Sequence, residues 1–134
     1  MKSPKITPLQ TAHILMGKQT AIILPAHPQQ VVCPYGQIHN RLWLHGTVNI
    51  RVEITDILHD NIDQMDIDQL EQLCLPLKSQ EWTPVGVDSD GTQIKKLALF
   101  ASLKASLAAY WFNTYHVDIA RQKVSVWLIS FRKV

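Results

Sequence analysis

The residues best suited to chemistry lie in residues 33–46, which read CPYGQIHNRLWLHG. Tyr35 stands between a proline and a glycine, a pattern typical of a turn whose side chains are exposed. Such a ring can stack on a nucleobase, and Arg41, close behind it, can contact a phosphate. Two plainer interpretations stay open, because Tyr35 can anchor its own turn and Arg41 can pair with an acidic side chain.

Histidine and cysteine spacing bears on metal and nucleophile chemistry. The chain has six histidines, but no pair has the His-x-x-x-His spacing that suits zinc on a helix. On a strand, His39 and His45 would share a face, yet the sequence supplies no third ligand, so we expect no metal site and no cofactor. Cys33 and Cys74 form no Cys-x-x-Cys motif, and Cys33 has no adjacent histidine or carboxylate. This pattern favours a reducing setting without a cysteine nucleophile.

Two tryptophans could also serve a binding site. Trp43 and Trp127 could each stack on a base, as aromatic residues do in proteins that bind single strands. Both stand among apolar neighbours in predicted strands, so packing in the core is the favoured interpretation for both. The aromatic run Tyr110-Trp111-Phe112 is interpreted in the same way.

Length and composition indicate one domain. With 134 residues and 46% hydrophobic content, the chain can bury one core, and we expect a single domain over residues 1–134. The first residues contain Pro4 and Pro8 and no long apolar run, which argues against a signal peptide, and no segment has membrane-spanning length. We therefore expect a cytoplasmic protein without a membrane partner.

The net charge of +2 conceals strong segregation of charge along the chain. Residues 1–52 carry +5, residues 53–90 carry −9 and residues 91–134 carry +6. If the two terminal thirds pair in space, their cations would surround one groove and attract a phosphate backbone. The alternative is a solvated surface with complementary halves of one sheet.

The hydrophobic pattern predicts an α+β fold. A short helix is expected after Pro8, with Gly17 as its stop, followed by a strand over residues 21–24. The clearest strand is TVNIRVEIT, residues 47–55, in which alternate residues share a buried face: Val48, Ile50, Val52 and Ile54.

The second half of the chain predicts two helices and a last strand. We expect a helix over residues 66–74, ended by Pro76, then a loop over 78–92 and a long helix over 92–116, capped by Asp90 or Thr92. The apolar stripe of the long helix is predicted to contain Ile94, Leu97, Phe100, Ala101, Leu103, Leu107, Ala108 and Trp111. The terminal KVSVWLISF is apolar on both faces, which predicts a central strand.

Four segments together resemble the ASCH superfamily, small relatives of the PUA-like barrels, and are closest to its prophage-associated members. They are ILMGKQT at 14–20, CPYGQIHNRLWL at 33–44, VNIRVEITDI at 48–57 and VSVWLISFRKV at 124–134. The resemblance implies a PUA-like, ASCH-type small mixed β-barrel with flanking helices. It also implies a cleft between the first helix and the barrel that binds RNA or a nucleotide, and some members hydrolyse acetylcytidine or act as nucleases.

The residues that the resemblance carries over are only partly preserved. The catalytic Lys, Thr and Arg positions of the amidohydrolase branch fall on Gln19, Ile22 and Leu24, so that chemistry is missing at all three. Lys18 and Thr20 lie close by and, with an acid such as Glu53, are weak catalytic candidates for a divergent hydrolase acting on acylated cytidine or RNA.

The leading hypothesis is binding of RNA or a modified nucleotide in a basic cleft. The expected lining residues are Lys18 for phosphate, Tyr35 for stacking, and Thr20, Arg41 and His45 for polar contacts. A third possibility is a prophage accessory protein that engages a protein partner through the acidic residues 53–90.

Overall fold

The computed structural model describes residues 2–75 and 90–134, with residues 90–96 as backbone only. The predicted stop at Pro76, the loop of residues 78–89 and the side chain of Ile94 therefore lie outside the described residues. The described residues form, in chain order, α1 Pro8–Leu15, β1 Ala21–Pro25, β2 Arg41–His45, β3 Asn49–Asn61, a short 3-10 helix Ile62–Gln64, α2 Ile67–Glu71, α3 Asp90–Tyr115 and β4 Ser125–Lys133. The predicted α+β class is confirmed.

The four strands form one curled antiparallel sheet in the order β1-β4-β3-β2. β4 lies between β1 and β3, which confirms the prediction that the last strand is central. The pairing of β3 with β4 shifts between Ile54 and Asp56, so that Thr55 forms a bulge. A bulge increases the local twist of a strand and helps a sheet to curl. The result is half of a small barrel with helices beside it.

Strand alternation gives the sheet two apolar faces. On the first face, Ile22, Leu44, Ile54 and Ile129 belong to a buried cluster that also includes Ile14 of α1. On the second face, the residues of β1 and β4 pack against α2 and α3 in another buried cluster, which includes Ala21, Ile23, Val126, Leu128, Leu70, Leu103, Leu107 and Trp111. Of the described helices, α2 and α3 thus cover β1, β4 and the second half of β3 on the second face.

The short helices begin at capping boxes. At α1, the Thr7 hydroxyl accepts a hydrogen bond from the Gln10 amide, and the Gln10 side chain accepts one from the Thr7 amide. Asp66 and Gln69 do the same at α2. Each reciprocal pair satisfies two amides that have no partner inside the helix. Gly17 follows α1 with a φ of +75°, as its predicted role as the stop requires.

Helix boundaries and one predicted stripe differ from the sequence expectations. α2 ends at Glu71 rather than at residue 74, and Thr92 lies inside α3 rather than before it. Leu97 was predicted to be buried but is 67% exposed, because it lies six positions before Leu103 and therefore about 120° round the helix from it. Val48 precedes β3 and is exposed for that reason.

Candidate nucleic-acid interface

None of the described helices packs on the β2 side of the second sheet face. β2, the first half of β3 and the end of β4 present there a set of mostly exposed polar and aromatic side chains. We call this surface the open sheet face, and it consists of Arg41, Trp43, His45, Asn49, Arg51, Glu53 and Arg132. The opposite side of the same strands is buried, so the alternation of the strands fixes the direction of these side chains.

Trp43 lies near the middle of the open sheet face. It stands between the buried residues Leu42 and Leu44, so its indole must point away from the core, and it is 46% exposed. Its direct partner across the β2–β3 ladder is Arg51, whose guanidinium carbon lies 5.7 Å from the centroid of the indole ring. This is a cation–π arrangement, which at an exposed site favours this orientation of the ring by about 0.5–1 kcal/mol. Packing in the core was predicted for Trp43, and that prediction is wrong.

Three residues form a row across β2, β3 and β4 at the edge of this face. Glu53 is paired in register with Arg41 on one side and with Arg132 on the other. Nη2 of Arg132 lies 2.8 Å from Oε2 of Glu53, and its Nε donates to the same oxygen at 2.9 Å. Within residues 2–75 and 97–134, no hydrogen bond or ion pair is recorded for the Arg41 guanidinium. Arg41 is therefore available to an anion.

The formal charge of the open sheet face is positive. Arg41, Arg51 and Arg132 contribute three cations against the single carboxylate of Glu53, which gives +2 with histidine neutral. Nδ1 of His45 lies 3.1 Å from Oδ1 of Asn49, its partner in the ladder. The surface combines an oriented aromatic ring with several cations, and this combination is what single-stranded nucleic acids bind.

Arg41 and His45 are the two predicted lining residues that lie on the open sheet face. Lys18 and Thr20 do not, because they precede β1 at the opposite edge of the sheet. There the Lys18 amide donates to the His13 carbonyl, and the Thr20 carbonyl accepts from the Phe131 amide. The terminal thirds do lie side by side, since β1 pairs with β4, but Lys18 before β1 is separated from Arg41 on β2 by the strands β4 and β3.

Tyr35 lies on the other side of the sheet. Its ring is half-buried and packs against the buried cluster of the first face. The turn sequence had predicted an exposed side chain for Tyr35 instead. Burial raises the pKa of its phenol, with a smaller contribution from the neighbouring Cys33. Burial also raises the pKa of the Cys33 thiol, although the amides of Tyr35 and Gly36 act in the opposite direction. A raised pKa leaves less thiolate at neutral pH, which agrees with the expectation that Cys33 is no nucleophile.

The weak catalytic candidates are not adjacent. β4 runs between β1, which Thr20 precedes, and β3, which carries Glu53, and the Glu53 carboxylate is bonded to Arg132. Ile22 and Leu24, two positions that the resemblance assigns to catalysis, are buried in the core of the first face. Gln19, at the third of these positions, is also buried. The described residues therefore bring together no base and nucleophile at this end of β1.

His39 and His45 would share a face only if both lay on one strand, and they do not. His45 lies at the end of β2, but His39 lies in a turn with a φ of 74° and not in a strand. In the part of the chain that is described, no three His, Cys, Asp or Glu side chains are close enough to hold a metal ion.

Sequence reasoning missed four residues of the open sheet face. Trp43 was assigned to the core, and Asn49, Arg51 and Arg132 were not singled out. A signal for Trp43 and Arg51 was present in the alternation of RLWLH and NIRVE, where every second residue is apolar and buried. The intervening residues must face the other way. If the two strands pair in the observed register, Trp43 and Arg51 therefore share a face.

The chain matches no protein-family model, and no curated protein or solved structure matches it significantly. None of the described helices combines the length and the apolar character needed to cross a bilayer.

Proposed function

We propose that this protein binds single-stranded RNA on the open sheet face. The observation that carries the proposal is the half-exposed Trp43 ring beside the Arg51 guanidinium, with Arg41 two positions away on the same face of β2 and Arg132 across Glu53 on β4. An unpaired base can stack on the exposed part of the indole, and the plane of the Arg51 guanidinium can itself stack on a base.

The arginines of the face supply the contacts to phosphate. Among the described residues no side chain occupies the Arg41 guanidinium, so it can form a bidentate hydrogen bond to a phosphate, whereas Arg132 must share its guanidinium with Glu53. On the same face, the ladder pair His45 and Asn49 lies next to the pair Trp43 and Arg51. Both side chains can hydrogen-bond a base edge or a 2′-hydroxyl. A double helix keeps its bases stacked on one another, so this surface favours single strands.

The wider family assignment is part of the same proposal. The four segments that resemble ASCH proteins fall at the end of α1, on the segment that leads into β2, on β3 and on β4. These are the elements of a curled sheet with helices beside it, as an ASCH-type, PUA-like barrel requires. In such a protein, RNA or a modified nucleotide in the cytoplasm is the expected ligand.

Binding of a short fluorescent single-stranded RNA, followed by anisotropy at several salt concentrations, tests the proposal. If Arg41, Arg51 and Arg132 each contact one phosphate, log affinity plotted against log salt concentration should have a slope of about −2. Trp43→Leu should weaken binding by about 5-fold to 150-fold, as expected when the stacking of one base is lost. Phe112→Leu is the matched control, because Phe112 is an equally exposed aromatic residue on α3, and it should leave the affinity unchanged.

Two results would contradict the proposal. One is an RNA affinity that does not depend on salt. The other is an equal loss of affinity in the Trp43 and Phe112 variants, because a site on the open sheet face must distinguish them.

A further inference from the structure

The outer side of α3 is apolar, although it is exposed. Leu97, Ala101, Ala105, Ala109 and Phe112 recur every three or four positions, which keeps them within about 120° of one another round the helix. All five are exposed, Leu97 by 67% and Phe112 by 53%. We call these five residues the outer stripe of α3. A helix at a protein surface ordinarily has polar residues on its solvent side, and one that is apolar all round is ordinarily buried.

The inner side of the same helix already belongs to the core, because Leu103, Leu107 and Trp111 are buried in the cluster of the second face. Between residues 97 and 115, Lys104 is the single charged residue. Its Nζ lies 4.6 Å from the centroid of the Phe100 ring, a cation–π contact that draws the ammonium group to the margin of the outer stripe. The outer stripe itself therefore carries no charge.

The exposed apolar surface is large enough for a protein interface. It continues onto α1, since Leu9, which is 57% exposed, lines one cavity together with Ala109. A fully exposed side chain of this size presents about 150–250 Å², so Leu9, Leu97 and Phe112 alone leave about 250–450 Å² in contact with water. The alanines and the polar residues at the margin bring this face to about 600 Å², the lower end of what one partner buries in a stable interface.

The order of side-chain sizes along the outer stripe suits a second copy of this chain. Large residues stand at both ends and alanines between them, so the order is the same in either direction. In a symmetric pair each contact occurs twice with the two roles exchanged, and antiparallel α3 helices would thus bring Leu97 of each copy against Phe112 of the other. The alanines between them let the helix axes approach to about 8 Å. An uncharged stripe meets its own copy without the repulsion that the open sheet face, at +2, would produce.

We propose that two copies of this chain associate through the outer stripes of α3, packed antiparallel about a two-fold axis beside Ala105, which lies next to the midpoint between Leu97 and Phe112. The interface is small, so its dissociation constant is on the order of 10 μM. The open sheet face lies on β2, β3 and β4 and contributes no residue to this interface. Failure of RNA binding would leave the association untouched, and the reverse also holds.

Sedimentation velocity of the full chain without RNA, between about 1 μM and about 0.5 mM, brackets this constant. The average mass should rise with concentration from that of one chain toward that of two. Ala105→Glu places two carboxylates beside the two-fold axis and should raise the dissociation constant about tenfold or more. Thr114→Glu is the matched control, because it adds the same charge at an exposed position of α3 that lies nine residues, and thus about 180° round the helix, from Ala105. This variant should associate like the unaltered chain.

A mixing experiment tests whether the partner is a second copy in this arrangement. Ala105→Lys alone should associate as weakly as Ala105→Glu, whereas an equimolar mixture of the two variants should associate more tightly than either, because opposite charges then meet beside the axis. Circular dichroism reports whether each variant is folded. The mass of a single chain at every concentration, undiminished association of a folded Ala105→Glu variant, or a mixture no tighter than its separate components would overturn the inference.

Discussion

Arg51 and Trp43 face each other across the β2–β3 ladder, with the guanidinium carbon 5.7 Å from the indole centroid. Buried leucines on either side of Trp43 hold β2 in place, so the exposure of the ring is a property of the strand and not of a loose side chain. A ring held in this way loses little conformational entropy when a base stacks on it. This relationship makes the open sheet face a prepared surface for an unpaired base.

The charge of the face should control affinity through Glu53. Glu53→Gln removes the single carboxylate and releases Arg132 from its ion pair, so we expect RNA affinity to rise severalfold and the salt dependence to steepen. Arg132→Ala should have the opposite effect on both. Anisotropy titrations at several salt concentrations measure both quantities.

A suitable control for this pair is Arg121→Ala. Arg121 is an exposed arginine in an ion pair with Asp118, outside the open sheet face. Its removal changes the net charge of the chain by the same amount as Arg132→Ala, yet it should alter RNA affinity far less. Similar losses in the two arginine variants would show that only the overall charge matters.

Two tryptophans of the sheet, Trp43 on β2 and Trp127 on β4, should differ sharply in their contribution to stability. Trp127 is 4% exposed, stacks on His59 with ring centroids 4.3 Å apart and donates to the Gln30 side chain at 3.0 Å. Trp127→Ala should therefore cost about 3–5 kcal/mol of unfolding free energy. Trp43→Ala should cost about 1 kcal/mol or less, because it leaves no cavity in the core. Urea denaturation measures both values, and comparable losses would place Trp43 in the core after all.

The strands could be predicted because their alternation is strong and their turns are clear. The two-faced burial of the last strand followed from its continuous apolar run, and β4 indeed has neighbours on both sides. The length of β3 could not be predicted from the sequence. The bulge at Thr55 shifts the alternation of buried and exposed residues, and the strand continues beyond it to Asn61. A sequence pattern of period two cannot anticipate an inserted residue.

The candidate site was harder to predict than the fold, because it depends on which strands become neighbours. Arg41 and His45 were expected at a site, but Lys18 and Tyr35 were assigned to the same one without knowledge of the strand order. The order β1-β4-β3-β2 places Lys18 at the far edge. It also brings Arg132, from the end of the chain, beside Glu53, a contact between residues far apart in sequence.

Two glycines should respond differently to substitution by alanine. A Cβ at Gly46 would overlap the Thr11 hydroxyl and would lie 2.8 Å from Cγ1 of Ile6, so Gly46→Ala forces α1 and the segment before it away from β2. Overpacking of this kind costs about 1–3 kcal/mol. Gly17 has free space around it, and Gly17→Ala should cost only the strain of its positive φ, about 1 kcal/mol. Thermal or urea unfolding of the two variants gives the comparison.

The origin of the Gly46 effect can be tested by a second substitution. Thr11→Ala removes the nearest clashing atom, so the double variant Gly46→Ala with Thr11→Ala should recover part of the loss relative to the sum of the single variants. Strict additivity would mean that the steric contact is not the cause.

Tyr115 should make stability fall at strongly alkaline pH. Burial, followed by the influence of Tyr110 and Tyr35, raises its pKa from the usual 10.0 to about 12. Below pH 10 the phenol is protonated in both the folded and the unfolded chain, so it causes no change there. Between pH 10 and about 12 the unfolded chain releases this proton while the folded chain retains it, and the free energy of unfolding decreases as pH rises.

Tyr115→Phe separates this effect from other alkaline titrations. The variant keeps the aromatic contact with Trp111, whose ring centroid lies 4.5 Å from that of Tyr115, but it has no proton to release. Between pH 10 and 12, its free energy of unfolding should decrease less steeply than that of the unaltered chain. Absorbance of phenolate in the folded protein should lose a step near pH 12 in the variant. If that step is still present, or if the two stability curves run parallel through this range, the burial of the Tyr115 hydroxyl does not control the alkaline transition.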